Sequence, residues 1–201
     1  MAYIALEGPE GCGKSTQAAI LADRLDALVT REPGATKLGT QLRSLLLGLD
    51  QAAIGARAET LLMAADRAQH MDDVVLPALN AGRHVVSDRS VYSSMAYQGA
   101  GRELGVDSVR DLNQWALAGC WPDIVVLLDI DIEQARGRLG RELDRMEQEP
   151  MEFHQRVVDA YRSMAACNPS WLVVSAEGEV DQVAEKIWSG ISGRLGHSSH
   201  S

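Results

Sequence analysis

Cysteine, lysine and long apolar runs are all scarce in this sequence of 201 residues. Its three cysteines, Cys12, Cys120 and Cys167, are far apart and lack the close spacing of metal ligands, so we expect neither a disulfide framework nor a zinc site. A reducing, cytoplasmic location fits this pattern. No apolar run approaches the roughly 18 residues that span a bilayer, and the first residues lack the basic segment of a secretory signal. We therefore expect no membrane association and no secretion.

Positive charge is also in deficit. The chain has 28 acidic against 19 basic residues, a formal net charge of −9. This is the wrong sign for a protein that grips a nucleic-acid backbone broadly, so no nucleic-acid partner is expected. Only Lys14, Lys37 and Lys186 are lysines, and the other basic residues are arginines. Arginine suits bidentate phosphate recognition, but a G- and C-rich genome would favour its codons throughout, so only placement can identify functional arginines.

The length and the apolar fraction of 46% fit one globular domain over residues 1–201. Short apolar runs alternate with longer helical patterns, which predicts an α/β fold with a parallel sheet covered on both faces. The predicted strands are Tyr3 to Glu7, Ala27 to Thr30, His84 to Asp88, Ile124 to Asp129 and Trp171 to Ser175. The predicted helices are Lys14 to Leu25, Ala56 to Asn80 with a kink at Pro77, and Val180 to Leu195.

Two segments fall outside this pattern. Residues 136–150 are highly charged and end at Pro150, so we expect an exposed, mobile excursion and not part of the core. The polar residues 196–201 are expected to form a frayed tail, to which we assign no role.

A glycine-rich segment directly follows the first predicted strand. Residues 8–15 match the pattern G-x-x-x-x-G-K-[ST] at each fixed position, with the strand before it and the helix after it that this motif requires. Its backbone N–H groups can converge on phosphate oxygens, Lys14 can reach the β- and γ-phosphates, and the Ser15 hydroxyl can hold Mg²⁺. The sequence therefore predicts a nucleoside triphosphate site formed by Gly8, Pro9, Glu10, Gly11, Cys12, Gly13, Lys14, Ser15 and Thr16.

Charged residues at the ends of other predicted strands indicate what accepts the phosphate. Asp88 ends an apolar strand, where a carboxylate can organise Mg²⁺ or its water, and Arg89 beside it can hold a phosphate. Since water or a plain hydroxyl would not require separate arginines, the acceptor is expected to be a phosphate itself. This indicates a nucleotide kinase. The alternative is a protein that is not a kinase, namely a nucleotide-switch module that binds the triphosphate and hydrolyses it slowly without an acceptor.

The charged excursion contains four arginines that could close over the polyphosphate and exclude water: Arg136, Arg138, Arg141 and Arg145. If the segment is helical, Arg138 and Arg141 are neighbours and Arg136 points elsewhere. A solvated face with ordinary ion pairs is the competing interpretation for each of them.

At these residues the sequence resembles the bacterial thymidylate kinases over nearly its whole length. The motifs coincide in order: EGPEGCGKST from Glu7, TREPGAT from Thr30, LRSLLL from Leu42, AADRAQH from Ala64, DRSVYSSMAYQG from Asp88, PDIVVLLD from Pro122 and ELDRMEQE from Glu142. The resemblance implies a P-loop NTPase three-layer sandwich with a five-stranded sheet and a lid over residues 136–150. It also implies transfer of the ATP γ-phosphoryl group to dTMP with Mg²⁺, and a homodimer built through the long helix from Ala56.

The resemblance further assigns roles to residues of this chain. Lys14, Glu10, Arg89, Arg138 and Arg141 are implied to be catalytic, with Glu10 contacting the nucleoside 3′-hydroxyl and the last two arginines in the lid. Positions around the acceptor phosphate and its magnesium are implied for Arg31, Glu32, Arg43 and Arg89, so the metal set becomes Ser15, Asp88 and Glu32. Contacts to the polar edge of thymine are implied for Arg67, Ser94 and Gln98, and a place beside the sugar 2′ position for Tyr97.

Two positions depart from the family pattern. Where the family usually has an aromatic residue that stacks on the base, this chain has Met63, four residues before Arg67. Its polarisable sulfur can still cover a ring face, so we expect substrate identity to survive with looser binding. Ser90 replaces the aromatic residue or histidine that usually follows Asp-Arg. A kinase for another nucleoside monophosphate or for a deoxynucleoside remains the alternative enzyme.

Overall fold

The computed structural model describes residues 1–49, 53–140 and 143–195. Its centre is one five-stranded sheet in the order β2-β3-β1-β4-β5, in which each pair of neighbours is parallel. The strands are β1 (Tyr3–Glu7), β2 (Leu28–Arg31), β3 (Val85–Asp88), β4 (Ile124–Asp129) and β5 (Trp171–Ser175). The predicted α/β class is confirmed, and strand boundaries differ from the prediction by one residue only in β2 and β3.

Helices cover both faces of the sheet because side chains alternate between two apolar cores. Tyr3 of β1 packs in one core with Val85 and Leu127, while Ile4 and Leu6 pack in the other. The helices are α1 (Lys14–Leu25), α2 (Lys37–Leu47), α3 (Ala56–His70), α4 (Leu76–Asn80), α5 (Val91–Ser94), α6 (Val106–Ala116), α7 (Ile132–Gly137), α8 (Met151–Ala166) and α9 (Val180–Leu195). The first core contains residues of α5, α6 and α8, and the second contains residues of α1 and α9. This gives a three-layer sandwich.

The helix predicted from Ala56 to Asn80 is divided. A π-helical turn over Met71–Val75 separates α3 from α4, and the Leu76 N–H bonds to the Met71 carbonyl, five residues back. Pro77 has no N–H to continue the regular ladder, so the expected distortion appears one turn before it as a wider turn. A second π-helical turn, Met95–Gly101, follows α5.

The segment 136–150 is less exposed than the sequence predicted. The side chains of Met146 and Glu147 are buried, and Met146 packs in the same core as Tyr97 and Phe153. The prediction of a segment outside the core is therefore wrong at the turn of residues 145–148, which packs Met146 into this core. α7 ends at Gly137, before Arg138. Arg141 and the tail 196–201 lie outside the described residues.

Within the described ranges, every helix is too short or too polar to cross a bilayer.

Candidate active site

The glycine-rich loop lies at the carboxyl end of β1, the central strand, where ligands bind in open α/β sheets. A Cβ at Gly8 would lie 2.6 Å from the Leu128 carbonyl oxygen, so the loop can pass beside β4 only as glycine. Gly13, with φ of 93°, precedes α1, and no side chain among the described residues caps that helix. Its first N–H groups therefore remain available to an anion.

Lys14 reaches back over this loop. Its ammonium donates to the carbonyl oxygens of Gly8 (3.1 Å) and Pro9 (2.7 Å) and lies 4.0 Å from Glu10 Oε2. Cys12 is buried behind it, with Sγ 3.6 Å from Nζ, and burial raises the pKa of the Cys12 thiol. A fixed cation thus lies among the loop's N–H groups, as phosphate binding requires.

Ser15 and Asp88 join the loop to the end of β3. The Ser15 hydroxyl donates to Asp88 Oδ2, while the buried Asp88 Oδ1 has no hydrogen-bond partner among the described residues. A hydroxyl and a carboxylate oxygen without a donor are the hard oxygen ligands that Mg²⁺ prefers. The residues present therefore fit a magnesium ion.

Arg89 lies across from Lys14 and adopts a φ of 74°, a left-handed conformation that is costly for a residue with a Cβ. Its Nη2 donates to Glu10 Oε1 and, over 3.3 Å, to the Tyr97 hydroxyl, and its Nη1 donates to Ser93 Oγ over 2.9 Å. The guanidinium also stacks over the Tyr97 ring at 5.0 Å. Contacts from several elements therefore hold Arg89 in one orientation.

Two further arginines face the same space. Arg31, Arg43 and Arg89 line a cavity of about 490 Å³ together with Lys14 and Ser15. Burial and the positive charges of Arg31 and Arg89 lower the pKa of Arg43, although Glu10 opposes them. The positive charges of these guanidinium groups repel one another, so binding of an anion in the cavity would stabilise them.

Glu32 lines the same cavity as Ser15 and Asp88, but its carboxylate is bonded to other residues of the protein. Glu32 is buried, with Oε2 accepting from Arg67 Nε and Oε1 paired with His70 Nδ1, each at 2.9 Å. Burial alone would raise the pKa of Glu32, but Arg67 and His70 outweigh it and hold that pKa below its usual value. Both carboxylate oxygens are thus bonded within the protein, so Glu32 holds Arg67 in this arrangement, and its metal role stays a prediction.

A second cavity adjoins the first and shares Glu10, Glu32, Arg43 and Arg89 with it. Arg67 is 2% exposed here, donating from Nη1 to Asn113 Oδ1 and from Nη2 to Ser94 Oγ (3.1 Å) and the Ser90 carbonyl (3.2 Å). The walls also include the other residues predicted to bind the substrate, namely Met63, Ser94, Tyr97 and Gln98. The sequence prediction and the geometry therefore select the same group.

The predicted lid arginines separate. Arg138 lines the cavity beside Lys14 and donates to the Ala176 carbonyl over 3.1 Å. Arg136 donates to Met151 Sδ, and Arg145 bonds to the Leu46 carbonyl and to Glu59. Of these three arginines, Arg138 lines the cavity that contains Lys14 and Ser15, and Arg136 lines a smaller cavity beside Pro9 and Glu10. Arg141 lies outside the described residues.

Sequence reasoning missed several residues that build the site. Glu7 ends the fully buried strand β1 and accepts hydrogen bonds from Ser90, Ser93 and Tyr161. A carboxylate closing an apolar strand was a usable signal. Glu59, Asn113 and Tyr161 gave none, since each contacts the site from a helix distant in sequence.

Comparison with known proteins gives a family for this geometry. The family model described as thymidylate kinase matches residues 6–187. The chain is 43% identical to a thymidylate kinase of Halothermothrix orenii over 96% of this chain and 97% of that protein. It is 47% identical to one from Leifsonia xyli subsp. xyli over 96% of this chain and 95% of that protein.

A solved structure agrees with these sequences. The crystal structure of thymidylate kinase from Ehrlichia chaffeensis superimposes with a TM-score of 0.80 at 27% identity and covers 94% of this chain and 98% of its own. The glycine-rich loop, the opposed arginines and the second cavity all lie inside the matched range. On this geometry and these similarities, the chain belongs to the thymidylate kinase family.

Proposed function

We propose that this chain transfers the γ-phosphoryl group of ATP to dTMP, giving ADP and dTDP, and that its two adjoining cavities hold donor and acceptor. Membership of the family supports the reaction, an ATP-dependent phosphotransfer. The observation that carries the proposal is the pair of cationic surfaces facing one another, Lys14 at the start of α1 and the arginines Arg43 and Arg89 opposite it. An oxygen of the acceptor phosphate attacks the γ-phosphorus while the bond to the β–γ bridging oxygen breaks.

The donor side uses the loop from Gly8 to Thr16. Its N–H groups and Lys14 bind the β- and γ-phosphates, and Arg138 contributes charge from the same cavity wall. Arg89 stabilises the charge that develops on the transferring group. Glu10, already bonded to Arg89, lies where it can accept a hydrogen bond from the nucleoside 3′-hydroxyl.

The acceptor base occupies the inner end of the second cavity. Arg67 donates to the base, supported by Ser94, and Gln98 offers an acceptor to it. Met63 covers the ring face, and Tyr97 lies beside the sugar. Thymine presents O4 as an acceptor and N3–H as a donor, which complement the Arg67 donor and the Gln98 acceptor.

Mg²⁺ is proposed at Ser15 and Asp88. The free Asp88 Oδ1 supports this assignment. When bound, the ion would offset the negative charge of the phosphates during transfer. Ser15, at the start of α1, and Asp88, at the end of β3, would hold the ion or its water.

We also propose a homodimer formed through α3 and its neighbour α6. Leu61 on α3 is 56% exposed and Trp115 on α6 is 88% exposed, although the two helices pack together. Large apolar side chains on one pair of packed helices suit an interface between two copies. The three free cysteines suit a reducing compartment, which supports a cytoplasmic location.

A coupled assay of ADP production tests the activity. The protein with ATP and Mg²⁺ is expected to turn over rapidly with dTMP and slowly with other monophosphates, deoxynucleosides or no acceptor. Equal rates with and without an acceptor would indicate a nucleotide switch, and a different preferred monophosphate would refute dTMP as substrate.

A further inference from the structure

A fully buried carboxylate, Glu59 of α3, lies behind the second cavity and plays no part in the phosphoryl transfer proposed above. Its Oε1 accepts hydrogen bonds from Gln98 Nε2 (3.0 Å) and Arg102 Nε (3.2 Å). Its Oε2 accepts from Arg102 Nη2 (3.2 Å) and Arg145 Nη2 (2.7 Å). One carboxylate thus joins a residue of the base cavity to two arginines.

These contacts keep Glu59 ionised. Burial by itself would raise its pKa, but the hydrogen bonds from Gln98, Arg102 and Arg145 outweigh burial and lower it. An ionised carboxylate can only accept hydrogen bonds. The Gln98 amide must therefore turn its NH₂ toward Glu59, since the reversed amide would place oxygen against oxygen.

The acceptor end of Gln98 is left for a ligand. Gln98 is 1% exposed and lines the cavity, and among the described residues none donates to its Oε1. Beside it, the bonds of Arg67 to Glu32, Asn113, Ser90 and Ser94 use four of five guanidinium N–H groups and leave one on Nη1. Arg67 Nη1 therefore has one N–H group, and Gln98 Oε1 one acceptor, that no bond among the described residues uses.

This pair matches one class of pyrimidine. Thymine and uracil present an acceptor at O4 and a donor at N3, whereas cytosine presents a donor at N4 and an acceptor at N3. A base whose donors and acceptors are reversed leaves buried polar groups without hydrogen bonds. A hydrogen-bonding site rejects a close analogue in this way.

We infer that Glu59 is a specificity-determining positioning residue, which orients the Gln98 amide so that the cavity accepts 4-oxo pyrimidine monophosphates and rejects 4-amino ones. The inference rests on the proposed function, because it takes Gln98 to contact the base. Glu59 itself touches no substrate and acts only through Gln98.

The arginines make the effect of one substitution predictable. The Oε1 side of Glu59 has one guanidinium donor, Arg102 Nε, beside the Gln98 amide, which can reverse, whereas the Oε2 side has two guanidinium donors, Arg102 Nη2 and Arg145 Nη2. In Glu59→Gln the new amide oxygen therefore stays on the Oε2 side. Its NH₂ then faces Gln98. Gln98 must turn its oxygen toward this NH₂ and its own NH₂ into the cavity, the arrangement that complements cytosine N3.

The experiment compares kcat/KM for dUMP, dCMP and dTMP. Because dUMP and dCMP differ only at this edge of the ring, their ratio isolates the orientation of the amide. In Glu59→Gln the dUMP to dCMP ratio is expected to fall by at least about tenfold, with the dCMP value rising. The dTMP to dUMP ratio stays constant, since the 5-methyl contact is untouched. Glu149→Gln is the matched control, because Glu149 pairs with Arg102 Nη1 without contacting Gln98, and its dUMP to dCMP ratio should equal that of the wild type.

Glu59→Asp provides a second variant that keeps the negative charge but moves the carboxylate away from Gln98 by the length of one methylene, and its ratio should fall by a smaller factor. Thermal unfolding identifies which variants fold. An unchanged ratio in either folded variant, or an equal loss of activity toward all three substrates, overturns the inference and makes Glu59 merely structural. A wild-type protein that phosphorylates neither dTMP nor dUMP refutes the proposed function instead, and the inference with it.

Discussion

The Tyr161 hydroxyl donates a 2.9 Å hydrogen bond to Glu7 Oε2, linking α8 to the end of β1 across 154 positions of sequence. Ser93 donates to the same oxygen over 2.6 Å and in turn accepts from Arg89 Nη1. Burial raises the pKa of Glu7, and the hydrogen bonds from Ser93, Ser90 and Tyr161 offset only part of this rise. The guanidinium of Arg89 is thus supported from behind by a buried carboxylate.

Tyr161→Phe should therefore slow catalysis without touching either nucleotide. Removing one donor leaves Glu7 less well solvated by the protein, and we expect a loss of about 1.5 to 3 kcal/mol in unfolding free energy. As Arg89 gains freedom, kcat should fall on the order of tenfold, with KM for ATP nearly constant. Urea unfolding and steady-state kinetics measure the two effects. If the variant is destabilised but keeps the wild-type kcat, the bond from Tyr161 to Glu7 does not orient Arg89 for catalysis.

Arg89→Ala removes the cation itself. Arginines that stabilise a transferring phosphoryl group contribute about 10³-fold or more, so kcat should fall on the order of 10³-fold. Arg89→Lys keeps the charge but loses the fork that spans Glu10, Tyr97 and Ser93, so we expect partial recovery. The single-turnover rate at saturating ATP and dTMP is the measurement. Near-normal rates for Arg89→Ala would remove Arg89 from the reacting groups.

How much of the site could be predicted depends on how far apart in sequence the interacting residues are. The glycine-rich loop, Asp88 and Arg89 are local patterns at strand ends, and the parallel sheet brings them together once the strands are placed. Glu59 could not be found this way, because its bonds reach Gln98 and Arg145 over 39 and 86 positions. The metal role of Glu32 was predicted from the family resemblance, and only the structure shows that both of its carboxylate oxygens are bonded to Arg67 and His70. The hydrogen-bond partners of a buried carboxylate lie on elements distant in sequence, and the local pattern does not show them.

Met63→Phe tests the departure at the base. Met63 lines the cavity with Arg67 and Gln98, where an aromatic ring could stack on the pyrimidine. We expect KM for dTMP to fall by about two- to fivefold and kcat to stay similar, because stacking strengthens ground state and transition state alike. Met63→Leu serves as a control of similar volume without a ring or sulfur. If KM is unchanged or higher in the phenylalanine variant, Met63 does not face the base.

Glu32 should make folding stability depend on pH in acid. Its folded pKa is below the unfolded value of about 4.3, so its contribution is complete above that value and is lost as pH falls through the folded pKa. Glu32→Gln leaves Arg67 without a buried counter-charge and should cost about 3 to 5 kcal/mol near neutral pH. The difference between wild type and variant should shrink below about pH 4. Denaturant titrations from pH 3 to 7 measure it, and a constant difference would contradict the ion pair.

Trp115→Glu tests the proposed dimer. Trp115 is almost fully exposed on α6, so replacing it leaves the folded subunit's core intact, whereas a charge at an apolar interface lacks a partner. We expect the wild type to have twice the subunit mass by light scattering and the variant to dissociate at micromolar concentrations. Val180→Glu adds the same charge at a half-exposed apolar position on α9, on the opposite face of the sheet, and should remain dimeric. A Trp115→Glu protein that stays dimeric at all concentrations would exclude α6 from the contact.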